Sequence, residues 1–263
     1  MSNYEKMFFL SGLPRTGSNL LSAILSQNPN ILSEGTSGMV HILAETEKLI
    51  TTNEAIVHTL TNTNRLDLSE TILKSIAPIY YKETNAKYII DKNRYWTNPV
   101  LINQIKKYIT KDPKIIVMLR PIKEIIESLA YIAQKNDKMD WFYSVIRQGN
   151  PLIYPLDFLK AGVQENKRHF LFVNYKDLVN NPRGTINKIY KFLDIKPFAH
   201  DFEEVIHKYP EGDYDIPGLH DVRKNISKRE INIELEERIE EYANYLQKDL
   251  ELVFKEAGIK HVF

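Results

Sequence analysis

The chain has 263 residues, 43% of them hydrophobic and 26% charged, which is enough for one large α/β domain or two small ones, and one is expected. Its 35 basic residues nearly balance 34 acidic ones, so the net charge of +1 points to neither nucleic acid nor a membrane surface, and any anion site must be local. With no cysteine, a disulfide framework, a thiolate zinc site and a cysteine nucleophile are all excluded, and a reducing compartment fits.

Met1 to Lys6 is polar and charged, and no apolar run approaches membrane-spanning length. The expectation is a cytoplasmic protein with no signal peptide and no membrane span. Met7-Phe8-Phe9-Leu10 then reads as a buried strand that ends at Ser11-Gly12. Leu20, Leu21, Ile24 and Leu25 recur at helical spacing until Asn28-Pro29 stops them. Residues 36 to 85 are mostly helical in pattern. Lys87-Tyr88-Ile89-Ile90 reads as a second strand and Lys114 to Leu119 as a third, fully buried one. A helix carrying Ile122, Ile125, Ile126, Leu129 and Ile132 on one face follows, and residues 131 to 165 continue as helix. Phe170-Leu171-Phe172-Val173 makes a fourth strand, with a helix ending near Leu193 behind it. From Ile233 to Ala257 an apolar stripe through Leu235, Ile239, Tyr242, Leu246 and Val253 predicts a last helix that packs on the sheet, with Gly258 as its C-terminal cap. The alternation predicts an α/β fold: one P-loop-like domain over residues 1–263, with a central parallel sheet and helices on both faces.

The turn after the first strand, Gly12-Leu13-Pro14-Arg15-Thr16-Gly17-Ser18-Asn19, joins strand to helix, where free N–H groups and the helix dipole favour an anion. Its glycines have the G-x-x-x-x-G spacing of a nucleotide-triphosphate loop, but that motif next requires Lys and then Ser or Thr. Ser18 and Asn19 stand there instead. Arg15, inside the loop, suits a single phosphate or a phosphosulfate.

The run Phe9 to Leu21 resembles the 5'-phosphosulfate loop of sulfotransferases that use 3'-phosphoadenosine 5'-phosphosulfate (PAPS). Its Pro-Arg-Thr-Gly core is closest to tyrosylprotein-type and bacterial members. The resemblance implies that Pro14, Arg15, Thr16, Gly17, Ser18 and Asn19 hold the donor, with Asn19 replacing a second hydroxyl residue common in the family. Leu119-Arg120, with Ser128 eight positions on, resembles the family's 3'-phosphate motif, although Pro121 follows the arginine directly. An arginine fork and a hydroxyl suit a terminal phosphate. The stretch from Phe172 to Pro182 is similar to the family's Tyr-Glu-Asp-Leu segment, which makes Tyr175 the residue facing the adenine. Arg223 and Lys224, in a basic cluster with Lys228, fall near where the family covers the 3'-phosphate, without its glycine-rich sequence.

Sulfuryl transfer, like phosphoryl transfer, needs cations around the transferred group and one base. Arg15 is placed to stabilise the leaving 3'-phosphoadenosine 5'-phosphate (PAP), and Lys92 resembles the family's lysine beside the sulfuryl group. Glu34, just past the first helix, is near the position of a catalytic glutamate in tyrosylprotein-type enzymes, and burial can raise such a carboxyl into a useful range for a base. Asp91, His41 and His58 are alternative bases. The 7 histidines show no metal-ligand spacing with paired carboxylates, so no metal is expected. The expected partner is a hydroxyl-bearing small molecule or peptide: the acceptor, whether sugar, lipid, phenol or peptide, is not specified, nor is the oligomeric state. Two rivals stand beside this reading: a P-loop kinase or nucleotide hydrolase, against which the missing Lys-Ser/Thr argues, and a non-catalytic adenosine-phosphate binding protein.

Overall fold

The computed structural model describes residues 4–147, 151–206, 208, 212, 216–222 and 235–260. The first strand, β1 (Lys6–Gly12), leads through the glycine loop into α1 (Ser18–Leu25), and the short β2 (Ile31–Leu32) follows. Three helices, α2 (Met39–Thr52), α3 (Glu54–Asn62) and α4 (Asp67–Tyr80), precede β3 (Tyr88–Lys92). After α5 (Pro99–Tyr108) comes β4 (Ile115–Leu119), then α6 (Ile122–Lys135), α7 (Met139–Ile146) and α8 (Ile153–Asn166). The chain continues through β5 (Phe170–Asn174), α9 (Tyr175–Asn180) and α10 (Pro182–Leu193) to α11 (Glu237–Glu256).

Among the described residues the sheet has 5 strands in the order β2-β3-β1-β4-β5. Every pairing is parallel, with Leu10 opposite Lys92 on one side of β1 and Gly12 opposite Met118 on the other. Parallel strands buried on both faces read as unbroken apolar runs, which is why β1 and β4 were visible in the sequence. Alternation splits their side chains between two cores. Met7, Phe9, Ile115, Val117 and Leu119 pack with α5, α6, α8 and α11, while Phe8, Leu10, Ile116 and Met118 pack with α1, α9 and α10. Each fully buried side chain of this size contributes about 1.5–3 kcal/mol by leaving water. Helices therefore cover both faces, as the pattern predicted.

Local chemistry sets the helix ends. Asn98 and Asn181 cap α5 and α10 by accepting from Val100 N (2.9 Å) and Gly184 N (3.1 Å), each with proline at the first helical position. Gly258 closes α11 at φ +72°: its N–H donates to Lys255 O and that of Ile259 to Phe254 O, both at 2.9 Å. No helix among the described residues is long and apolar enough to cross a membrane.

β1 lies where the strand order reverses, since the chain builds β2 and β3 to one side of it and β4 and β5 to the other. In such sheets the ligand crevice opens beyond the carboxyl ends of the strands at the reversal. The glycine loop, Lys92, Arg120 and Tyr175 all stand at such ends, of β1, β3, β4 and β5 in turn.

Candidate active site

A cavity of about 300 Å³ opens at these strand ends. Among the described residues, four basic side chains line it, Arg15, Lys92, Arg94 and Arg120, against one acidic one, Asp221, so it is locally basic in a nearly neutral chain. The loop that forms its floor is tightly set. Gly12 has φ +153°, and a Cβ there would meet the Met118 carbonyl oxygen at 2.8 Å. Gly17, at φ +90°, precedes α1, and its missing side chain admits the Tyr175 ring: a Cβ would stand 2.6 Å from Tyr175 Cδ2. Arg15 has φ +63°, a left-handed backbone that costs a non-glycine residue on the order of 1 kcal/mol or more.

Two segments far apart in sequence meet through the Arg15 side chain. Arg15 Nε donates to Ser128 Oγ at 3.1 Å, and an Arg15 terminal nitrogen donates to the Leu219 carbonyl. Arg120 donates to the Arg15 carbonyl (3.0 Å) and to Glu124 (3.0 Å), and its guanidinium lies 4.7 Å from the Tyr175 ring centre. Pro14, Gly17, Ser18, Asn19, Ser128 and Tyr175 also line the cavity. Arg120 is only 8% exposed and Ser128 1%, so neither is a solvated surface residue.

Thr16 departs from the expectation for its side chain. It is fully buried and its hydroxyl donates to the Leu13 carbonyl at 2.7 Å, closing the loop from within and not facing the cavity. Lys92, 4% exposed at the end of β3, donates to Asn19 Oδ1. Arg223 and Lys224 lie outside the described residues.

Glu34 does not line the cavity, but Thr36, two residues on, does, and Thr36 bridges to Lys92. Glu34 is exposed, so its loss of hydration is partial. That loss, and then the charge of Asp91, raises its carboxyl above the ordinary glutamate value. Asp91 itself is 1% exposed and accepts from Tyr81 Oη (2.5 Å) and Trp96 Nε1 (2.6 Å), so both carboxylate oxygens are committed to the core. His41 is exposed on α2, edge-on to Tyr95, and His58 is exposed on α3 beside Asn62. Among the described residues no three His, Asp or Glu side chains gather as a metal-ligand set.

Sequence reading missed the rim. Leu219, His220, Asp221 and Val222 close the cavity from about 200 positions beyond the loop, and Trp141 of α7 adds a second aromatic wall. The tryptophan stands in an ordinary amphipathic helix and the rim in a segment with no motif, so neither carried a signal.

The fold is a parallel α/β sheet with a basic cavity at the point where its strand order reverses. Over residues 8–200 the sequence matches the model of the Sulfotransferase family, and the chain belongs to that family. No curated protein matches the sequence. Among solved structures, a sulfotransferase from Alicyclobacillus acidocaldarius is similar over 100% of this chain and 97% of its own, with a TM-score of 0.57 at 15% identity. The sulfotransferase domain of the Synechococcus PCC 7002 olefin synthase covers 95% of this chain and 96% of its own, with a TM-score of 0.51 at 16% identity. At such identities the likeness is one of fold.

Proposed function

We propose that this sulfotransferase, one domain over residues 1–263 and cytoplasmic, moves a sulfuryl group from PAPS to a hydroxyl acceptor by in-line displacement. The observation that carries the reading is the Arg15–Ser128 hydrogen bond of 3.1 Å, which joins the loop and the second anion motif at one cavity. A nucleotide with anionic groups at both its 5' and 3' positions needs that proximity, and a triphosphate does not. The donor set fits: the Arg15 and Arg120 guanidinium groups, the Lys92 ammonium, the Ser18 and Ser128 hydroxyls and a glycine turn all line the cavity.

In this reading the backbone of Pro14 to Asn19 cradles the 5'-phosphosulfate, with the Thr16 hydroxyl keeping the loop closed. Arg120 and Ser128 take the 3'-phosphate, and Tyr175 and Trp141 flank the nucleoside. Bound PAPS supplies the sulfuryl group, whose bond to the acceptor oxygen forms as its bond to the phosphate oxygen of departing PAP breaks. Arg15 and Lys92 hold positive charge where negative charge grows on the equatorial and leaving oxygens. Glu34 takes the acceptor's hydroxyl proton onto its carboxylate, which balances the transfer. Arg15, Lys92 and backbone N–H groups do this without a metal ion.

The test is transfer of labelled sulfur from PAPS to a panel of sugar, lipid, phenol and peptide hydroxyls, with PAP measured in parallel. Equimolar PAP and sulfated product support the reading. PAP binding with no transfer to any class would favour the binding-protein alternative.

A further inference from the structure

We propose that Asn19 is a positioning residue that aims the Lys92 ammonium into the cavity, an inference that rests on the sulfotransferase reading of the site. Lys92 Nζ donates to Asn19 Oδ1, and Asn19 Nδ2 donates to the His220 carbonyl at 3.4 Å. These two contacts fix the amide. Turned over, it would set its NH2 against an ammonium and its oxygen against a carbonyl oxygen, replacing both attractions with repulsions. The acceptor oxygen is therefore held toward Lys92 from two sides, by the end of β3 and by the rim segment.

Position and charge explain why an amide serves here. Asn19 is the second residue of α1, where the helix N-terminus already favours anions, and Lys92 is 4% exposed at the neighbouring strand end. A lysine has a flexible four-carbon stem, so a cation meant to meet developing charge at one place has to be anchored. A carboxylate would anchor it while cancelling its charge and repelling the donor. A neutral amide anchors it and leaves the full positive charge for the anion.

The Asn19 side chain thus differs in role from the groups that grip the phosphates. It acts through Lys92, so its loss should appear in turnover more than in donor affinity.

A double-variant cycle on the full chain reads this, with kcat and PAP affinity measured for wild type, Asn19→Ala, Lys92→Ala and the pair. Asn19→Ala should lower kcat about tenfold or more while changing PAP affinity less than about threefold, and should cost no more than about twofold further once Lys92 is already alanine. Asn19→Asp keeps an acceptor for Lys92 but brings a negative charge, and should weaken PAP at least about tenfold. Losses that multiply in the double variant, a PAP affinity that falls with kcat in Asn19→Ala, or an Asn19→Asp protein that binds PAP normally would each overturn the role. Wild-type protein that neither binds PAP nor transfers sulfur would overturn the underlying reading instead.

Discussion

Arg120 donates to the main-chain carbonyl of Arg15 at 3.0 Å, so the residue at the end of β4 directly supports the loop that follows β1. The same guanidinium lies over Tyr175 and pairs with Glu124, which leaves it fixed before any ligand arrives. A preformed arginine of this kind loses little freedom on meeting a phosphate.

Arg120→Ala is therefore expected to weaken PAP far more than AMP, which lacks the 3'-phosphate. A charge-assisted hydrogen bond is worth about 1.5–3 kcal/mol, or roughly ten- to a hundredfold in affinity. Calorimetric titration of both nucleotides checks this. Equal losses for the two would make Arg120 a support of the loop alone.

Glu34 must be ionised to accept a proton, and its carboxyl is raised above the ordinary 4.5 by lost hydration and then by the charge of Asp91. Activity should consequently rise with pH through that raised value, placing the acid limb of kcat/KM above 4.5. Asp91→Asn removes the second cause, so the limb should move down. Glu34→Gln should remove the limb and lower turnover by about 10² to 10⁴, least for a phenol already ionised at the assay pH. Equal losses across acceptors of very different acidity would show that Glu34 positions the substrate.

Burial raises the Asp91 carboxyl above its ordinary 3.8, while hydrogen bonds from Ser37, Tyr81 and Trp96 oppose the rise. A carboxyl raised on folding holds its proton more tightly in the folded chain, so its contribution is greatest below 3.8 and declines as pH climbs through the folded value. Tyr81→Phe removes one opposing donor. It should cost about 1–3 kcal/mol near neutral pH, and less in acid, as read by denaturant unfolding across the pH range. A loss independent of pH would place the cost in packing.

Chelation should leave transfer intact, because Arg15, Lys92 and backbone N–H groups supply the positive charge. Loss of activity in EDTA, restored by a divalent ion, would contradict that.

Most of the sheet was legible because its strands are buried on both faces and so appear as apolar runs. β2 was not: Ile31 and Leu32 are a strand only through pairing with Tyr88 and Ile89, a contact that no local pattern encodes. Among site residues, Arg15 could be picked by its type and place in the glycine loop, and Arg120 and Ser128 by their resemblance to the family's 3'-phosphate motif. Their meeting depended on the β1–β4 register. Thr16 and Asp91 show the converse, since polar residues beside a site look available in sequence until burial shows their hydrogen bonds committed elsewhere. The rim at Leu219 to Val222 came from tertiary structure alone.

The claim that this cavity takes a nucleotide carrying both 5'- and 3'-anions is tested most directly by thermal unfolding of the wild-type chain with PAP, AMP and ATP–magnesium at matched concentrations. A ligand present at about a hundred times its dissociation constant adds roughly 2.7 kcal/mol to the folded state. PAP should raise the midpoint most, AMP much less, and ATP–magnesium no more than AMP. Greater stabilisation by ATP–magnesium than by PAP would contradict the account and return the site to the kinase reading.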